Sequence, residues 1–173
     1  RCGSWLLADL LGTSGRIGIA GECLNGDEMA RTAERHRLRS FADYVRHAIA
    51  GPAVEGNVVL KCGILHLEVL GQSGLLELMG ERVRYVHMTR KDRLAQAISW
   101  EIAAQTGRWR SGGAAGAEPV FSAAGIAAAM ARFEADNRQF EHFFRRNGIV
   151  PRHVAYEALV AAPEAVAAGV VDG

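Results

Sequence analysis

Residues 82–105 read RVRYVHMTRKDRLAQAISWEIAAQ and predict a strand that runs straight into a helix. Residues 82–88 include Val83, Tyr85 and Val86, whose β-branched or aromatic side chains are typical of a strand. Asp92 has the short acidic side chain that caps helices, so we expect a helix from there to about Gln105. A strand followed directly by a helix is the repeating unit of α/β proteins.

Strands and helices continue to alternate on both sides of this stretch. Upstream, we expect helices over 5–11, within 27–50 and over 67–79, and strands over 17–20 and 58–65. Downstream, Ser122 predicts a capped helix to about Asn147, followed by a strand over 151–156 and a helix from Pro163. The sequence therefore predicts a single α/β domain over residues 1–173, with a mainly parallel sheet and helices on both faces. Ligands of such sheets bind beyond the carboxyl ends of the strands.

The composition excludes several classes of protein. The chain has 173 residues, 20 basic and 19 acidic, with 49% hydrophobic residues, which is enough to fill a core. Its near-neutral charge disfavours a polybasic nucleic-acid binder, and no apolar run is long enough to span a bilayer. Three cysteines without metal-ligand spacing predict a reducing, cytoplasmic setting. Only Lys61 and Lys91 are lysines. The arginine excess fits a GC-rich genome or anion recognition.

Three segments have residues suited to an anionic ligand. The first, Arg1-Cys2-Gly3-Ser4-Trp5, runs into an apolar helix whose unpaired N–H groups favour phosphate or sulfate. It also fits an ordinary helix start. The second is Arg90, which follows a predicted strand, with Ser99 on the next helix; a capped helix with a solvated arginine is the alternative. The third is Trp109-Arg110, in which an aromatic ring beside a guanidinium can hold a base or sugar ring together with an anion. The alternative is a helix end with one buried tryptophan.

Together these segments resemble the bacterial carbohydrate sulfotransferase family typified by trehalose 2-sulfotransferase, which includes lipopolysaccharide sulfotransferase-like members. Residues 1–7, RCGSWLL, resemble its Arg-Ser-Gly-Ser-Thr-Leu-Leu loop, and residues 20–25 resemble its Pro-x-Glu-Phe-Phe stretch without a gap. Residues 56–61 resemble its Gly-Val-x-Gly-x-Lys strand, residues 90–100 its Arg-Pro-Asp helix, and residues 105–110 its Gln-Thr-x-x-Trp-Arg motif. Residues 149–159 resemble its closing strand and the turn after it.

The resemblance implies a P-loop-like sulfotransferase that uses 3′-phosphoadenosine 5′-phosphosulfate as donor and needs no metal. It places Glu22 as catalytic base, with Lys61 facing donor or acceptor oxygens. The residues that it implies for donor binding are Arg1, Cys2, Gly3, Ser4, Trp5, Arg90, Ser99, Trp109 and Arg110. The acceptor is expected to be a carbohydrate or glycolipid rather than nucleic acid, and the assembly a homodimer. The family's first strand would precede Arg1, so the chain is expected to be a fragment.

Departures and alternatives remain open at this point. Cys2 and Trp5 replace the Ser and Thr of the family loop, although backbone N–H contacts do not depend on those side chains. Glu22 also fits a surface turn, and the Lys61 ammonium also fits a position at the rim of its strand. A small kinase is disfavoured because Gly-x-x-x-x-Gly-Lys-Ser/Thr is absent. A non-catalytic nucleotide-binding or interaction domain descended from a sulfotransferase is the other alternative.

Overall fold

The computed structural model describes residues 2–109 and 117–172. Its helices are α1 (Ser4–Thr13), α2 (Gly26–His36), α3 (Phe41–Ala50), α4 (Ile64–Gln72), α5 (Leu75–Met79), α6 (Arg93–Thr106), α7 (Ala123–Arg146), α8 (Tyr156–Ala161) and α9 (Pro163–Asp172). Its strands are β1 (Gly18–Gly21), β2 (Val58–Leu60), β3 (Val86–Thr89) and β4 (Arg152–Ala155), and Gly80–Arg82 form a 3₁₀ turn. The chain is therefore mixed α/β, as predicted.

The chain divides into two compact units. The first unit comprises Arg1–Ser4 and Tyr85–Ala162, and the second comprises Trp5–Arg84 and Pro163–Gly173. In the described part of the chain, each unit contains one parallel strand pair, β3 with β4 in the first and β1 with β2 in the second. Parallel pairing is thus confirmed, but the described strands form two separate pairs rather than one continuous sheet. The segment between β2 and β3 forms α4, α5 and the 3₁₀ turn, so it supplies no strand to join the pairs.

The first unit is built around the predicted strand–helix stretch. Asp92 caps α6 by accepting a hydrogen bond from the Ala95 N–H, and Ser122 caps α7 in the same way from Gly125. Helices α6 and α7 pack against each other, and α7 places Phe143 and Phe144 in the core with Val154 of β4 and Leu159 of α8. Val154 and Leu159 lie on either side of the turn after β4, so this core holds both ends of that turn.

The second unit has its own core. Leu24, Tyr44, Val45 and Leu70 are buried together, so the segment after β1, helix α3 and helix α4 share one apolar contact. The Tyr44 hydroxyl donates a hydrogen bond to the Cys23 carbonyl, which ties α3 to that segment. The end of β1 is thereby held against the helices that surround it.

Several predicted boundaries were wrong. The helix expected within 27–50 is two helices, because Arg37 adopts a left-handed conformation that ends α2 and Ser40 caps α3. The helix expected over 67–79 begins at Ile64 and is interrupted at Gly74, whose φ is +73°. The strand expected over 58–65 is therefore short, and α8 was not predicted. The predicted loop over 112–119 lies largely outside the described residues.

Candidate active site

The anion-binding loop predicted at residues 1–5 is partly described. Arg1 lies outside the described residues, as does Arg110. Gly3 has a φ of +80°, and a Cβ added there would lie 2.8 Å from Cδ2 of Tyr156. Both the backbone conformation and the close approach of the ring therefore require glycine. Helix α1 begins immediately afterwards, at Ser4, so its first N–H groups emerge from this turn.

Arg90 leaves the sheet beside Tyr156. The last residues of β3 and β4, Thr89 and Ala155, are partners in the parallel pair, so Arg90 and Tyr156 are the next residue on each strand. The Arg90 guanidinium carbon lies 4.5 Å from the centre of the Tyr156 ring. Its Nε is buried and has no hydrogen-bond partner among the residues described. A buried donor of this kind fits an anionic ligand.

Glu157 links the turns that follow the two strands. Its Oε1 accepts hydrogen bonds from the backbone N–H groups of Lys91, at 3.0 Å, and Asp92, at 3.3 Å. Desolvation raises the pKa of Glu157, but these backbone hydrogen bonds and the charge of Arg90 outweigh it and hold the pKa below its usual value. The carboxylate is therefore ionised and fixes the start of the turn that presents Arg90.

The other donor-binding residues predicted in the first unit lie on or just after α6. Ser99 is half-buried, about two turns into that helix. Trp109 is 45% exposed, and its ring packs edge-on against Trp100 with the centroids 4.8 Å apart. Trp100 in turn contacts Phe133 of α7. The tryptophan that the sequence paired with Arg110 thus has a partner on α6.

In the second unit the structure brings Glu22 and Lys61 together. Each follows a strand of the parallel pair, in which Gly21 is the partner of Leu60. Lys61 Nζ lies 2.5 Å from Glu22 Oε1 and 4.0 Å from the centre of the Trp5 ring. The Lys61 side chain is only 13% exposed, whereas that of Glu22 is 43% exposed. The ammonium is consequently shielded by an ion pair and a ring, rather than solvated at the rim of the strand.

The environment of Glu22 favours its ionised form. Partial burial raises its pKa, but the hydrogen bond and charge of Lys61, a hydrogen bond from Asn25 at 3.2 Å and the charge of His66 together bring that pKa below the ordinary 4.5. An ionised carboxylate at the carboxyl end of a strand can accept a proton from a hydroxyl group. Both of its oxygens already accept hydrogen bonds, so a substrate hydroxyl would share an oxygen with one of these donors.

A wide cavity of about 890 Å³ opens beside Glu22, within the second unit. Its walls come from α1, β1, α2 and α3, and its polar and aromatic lining includes Trp5, Glu22, Asn25, Asp27, Glu28, Arg31, Thr32, Tyr44 and His47. Glu28 is paired with Arg31 at 2.9 Å. Hydroxyl-bearing ligands suit such a lining, because carboxylates and amides bind hydroxyls and aromatic rings offer flat apolar faces.

Sequence reasoning missed some of these residues. Asp27, Glu28 and Arg31 read as the charged surface of a helix, and nothing in the sequence indicates that they face a cavity. Tyr156 and Glu157 lie in the stretch that resembles the family's closing strand and the turn after it, and the resemblance gave them no role of their own. The available signal was their position directly after a predicted strand, where ligand-edge residues of parallel sheets lie.

An imidazole can also act as a general base, and the structure places His66 in α4 and His87 in β3. His66 accepts a hydrogen bond from the Gly63 N–H at the start of α4. His87 is 5% exposed and packs against Phe140 and Phe144, so it is part of the core of the first unit. Among the residues described, no group of three or more His, Cys, Asp or Glu could hold a metal ion. No described helix is long and apolar enough to cross a membrane.

Comparison with models of known families identifies a relationship over most of the chain. The family model for Stf0 sulphotransferases matches residues 63–173, which is more than half of the 173-residue chain. The match includes Arg90, Ser99, Trp109 and Tyr156, and it begins just after Lys61. No curated protein matches the chain.

Proposed function

The chain belongs to the Stf0 sulphotransferase family, the trehalose 2-sulfotransferase family, and we propose that it transfers a sulfuryl group from 3′-phosphoadenosine 5′-phosphosulfate to a hydroxyl of a carbohydrate or glycolipid. The new bond joins the acceptor oxygen to sulfur, and the bond from sulfur to the 5′-phosphate oxygen breaks. The hydroxyl proton passes to Glu22, and 3′-phosphoadenosine 5′-phosphate leaves. This family places the chain among enzymes of sulfuryl transfer; the donor, the acceptor and the residue roles are our proposal.

The paired Glu22 and Lys61 carry the catalytic part of the proposal. An in-line displacement needs a base that contacts the attacking hydroxyl, and Glu22 is ionised and borders the cavity. Lys61 keeps the carboxylate charged and orients one of its oxygens. The cavity lining has three carboxylates, Glu22, Asp27 and Glu28, and one guanidinium, Arg31. This excess of acidic side chains supports a neutral, hydroxyl-rich acceptor over an anionic one.

The donor would be held by two kinds of group. We assign the phosphosulfate to the backbone N–H groups of residues 3–5, the P-loop-like part of one sulfotransferase-like domain, with Arg1 and the neighbouring Cys2 completing that loop. Arg90 and Ser99 would take the 3′-phosphate, and Trp109 with Arg110 would contact the nucleoside. The buried Nε of Arg90 has no hydrogen-bond partner within residues 2–109 and 117–172, and this supports the assignment, since phosphate oxygens would satisfy it.

Sulfur-labelled donor tests the proposed function directly. The protein is incubated with the labelled donor and a panel of neutral sugars and glycolipids, and labelled sugar is measured by chromatography. We expect sulfated product with at least one acceptor and no phosphorylated product when ATP replaces the donor. Tight binding of 3′-phosphoadenosine 5′-phosphate with no transfer to any acceptor would instead indicate a non-catalytic domain, and phosphoryl transfer from ATP would indicate a different nucleotide-phosphate transferase.

A further inference from the structure

We propose that Tyr156 and Glu157, called here the β4 clamp, are positioning residues that hold Arg90 in the arrangement needed to recognise a 3′-phosphate, while the Tyr156 ring also supports the Gly3 turn. The proposal rests on the proposed function, because it assigns a task to the donor site. The clamp acts through Arg90 and the Gly3 backbone rather than by touching the reacting atoms. All of these residues belong to the first unit.

The parallel register places the clamp beside Arg90. Thr89 is paired with Ala155, so the two strands end side by side. The residue after β3 is Arg90, and the residue after β4 is Tyr156. The 4.5 Å distance from the guanidinium carbon to the ring centre places the cation over the face of Tyr156. Stacking uses the flat face of the guanidinium and leaves its in-plane N–H donors available to a ligand.

The same ring supports the turn before α1. An added Cβ on Gly3 would lie 2.8 Å from Cδ2 and 3.3 Å from Cε2 of Tyr156, so the ring lies against the glycine backbone. One side chain thus contacts both the loop at the start of α1 and the arginine after β3. Loss of the ring would free the Arg90 side chain and remove the support beneath Gly3 at once.

Glu157 fixes the other side of Arg90. Its single oxygen Oε1 holds the N–H groups of the two residues that follow the arginine, Lys91 and Asp92. The backbone at Arg90 is therefore restrained from the β4 side, while its side chain is restrained by the neighbouring Tyr156. A preorganised cation loses less conformational entropy on binding an anion, and this favours affinity.

Calorimetric titration with two nucleotides tests the clamp. The probes are 3′-phosphoadenosine 5′-phosphate and adenosine 5′-phosphate, which differ only in the 3′-phosphate, and the readout is the ratio of their dissociation constants. We expect the wild-type protein to prefer the 3′-phosphorylated nucleotide. Tyr156→Leu should reduce that preference by about tenfold, while Tyr156→Phe, which keeps the ring, should stay close to wild type.

Two further variants separate positioning from stability. Glu157→Ala keeps the ring but releases the backbone after Arg90, so it should also reduce the ratio; it also serves if Tyr156→Leu does not fold. Tyr85→Leu is the matched control: this tyrosine is in the same unit and packs edge-on against Phe144. It should lower thermal stability and leave the ratio unchanged.

The outcomes distinguish the clamp from the proposed function. If the wild-type protein prefers the 3′-phosphorylated nucleotide but Tyr156→Leu and Glu157→Ala keep that preference, the clamp is wrong and the proposed donor stands. If Tyr85→Leu reduces the ratio as much as Tyr156→Leu, the effect is one of stability, and the clamp is wrong. If the wild-type protein shows no preference, the proposed donor is wrong, and the clamp falls with it.

Discussion

Replacement of Lys61 by methionine tests the pairing of the two catalytic residues proposed here. The ammonium lies 2.5 Å from Glu22 Oε1 and 4.0 Å from the centre of the Trp5 ring, and the side chain is 13% exposed. Methionine keeps an unbranched chain over the ring and removes the charge. The substitution therefore isolates the effect of the cation on the carboxylate.

The size of the effect follows from the exposure of the two partners. At an effective dielectric constant near 20, two unit charges about 4 Å apart attract by roughly 4 kcal/mol. Water around Glu22, which is 43% exposed, screens much of this, so we take the upper end of the range for exposed pairs, about 1 kcal/mol. We expect Lys61→Met to lower the free energy of unfolding by that amount at neutral pH.

The pKa of Glu22 determines the direction in which pH changes the turnover and the stability of Lys61→Met. Lys61 helps to hold the pKa of Glu22 below its ordinary value of 4.5, so removal of Lys61 raises that pKa. A base acts only when deprotonated, so the acid limb of turnover should move to higher pH in Lys61→Met. The stability difference from wild type should shrink as pH falls below about 4.5, because a protonated Glu22 no longer pairs with Lys61.

The assay is a pH–rate profile from about pH 3 to about pH 8, together with urea unfolding at each pH. Lys91→Met is the matched control, because Lys91 is the other lysine of the chain and is exposed. Its profile should overlay that of wild type. An acid limb in Lys61→Met that does not move, or that moves to lower pH, would refute the role given to the pair.

Three further predictions concern the first unit and its turns. Gly3→Ala should lower the free energy of unfolding in urea more than Gly15→Ala. The positive φ costs about 1–2 kcal/mol at both positions, but of the two only Gly3 has a ring within 3 Å of the added Cβ. Equal losses would contradict the contact of Gly3 with Tyr156. Arg90→Ala should weaken 3′-phosphoadenosine 5′-phosphate binding by about 2 kcal/mol and leave adenosine 5′-phosphate nearly unaffected; an equal loss for both would refute the assignment. Burial and the charge of His153 lower the pKa of His87, so the free energy of unfolding should fall as pH drops below the ordinary 6.5. His87→Phe should flatten that slope in urea unfolding, whereas His142→Gln, at an exposed position, should keep it.

Local signals in the sequence were sufficient for the elements that depend on caps. Asp92 and Ser122 correctly predicted the starts of α6 and α7, because a capping side chain acts within one helical turn. The break between α2 and α3 was missed, although Ser40 is a capping residue whose side chain accepts a hydrogen bond from the Asp43 N–H. Apolar residues continue at helical spacing across the break, so the pattern predicted one uninterrupted helix.

The site was predicted residue by residue but not as an arrangement. Glu22 and Lys61 were each proposed on the basis of resemblance, whereas their contact depends on the register of β1 against β2, which is a long-range pairing. The contact of Tyr156 with Arg90 depends in the same way on β3 and β4. The cavity beside Glu22 could not be predicted, because the direction in which α2 faces is set by packing of the whole second unit.

Single-turnover sulfuryl transfer by Glu22→Gln tests the central claim most directly. The variant keeps the shape of the side chain but cannot accept the hydroxyl proton, and Glu34→Gln on the exposed face of α2 is the matched control. With saturating donor and a confirmed sugar acceptor, we predict that the rate falls by about 10²- to 10⁴-fold in Glu22→Gln and is unchanged in Glu34→Gln. Donor affinity should be nearly the same in all three proteins. A rate for Glu22→Gln close to that of wild type would contradict the account and leave His66 as the next candidate for the base.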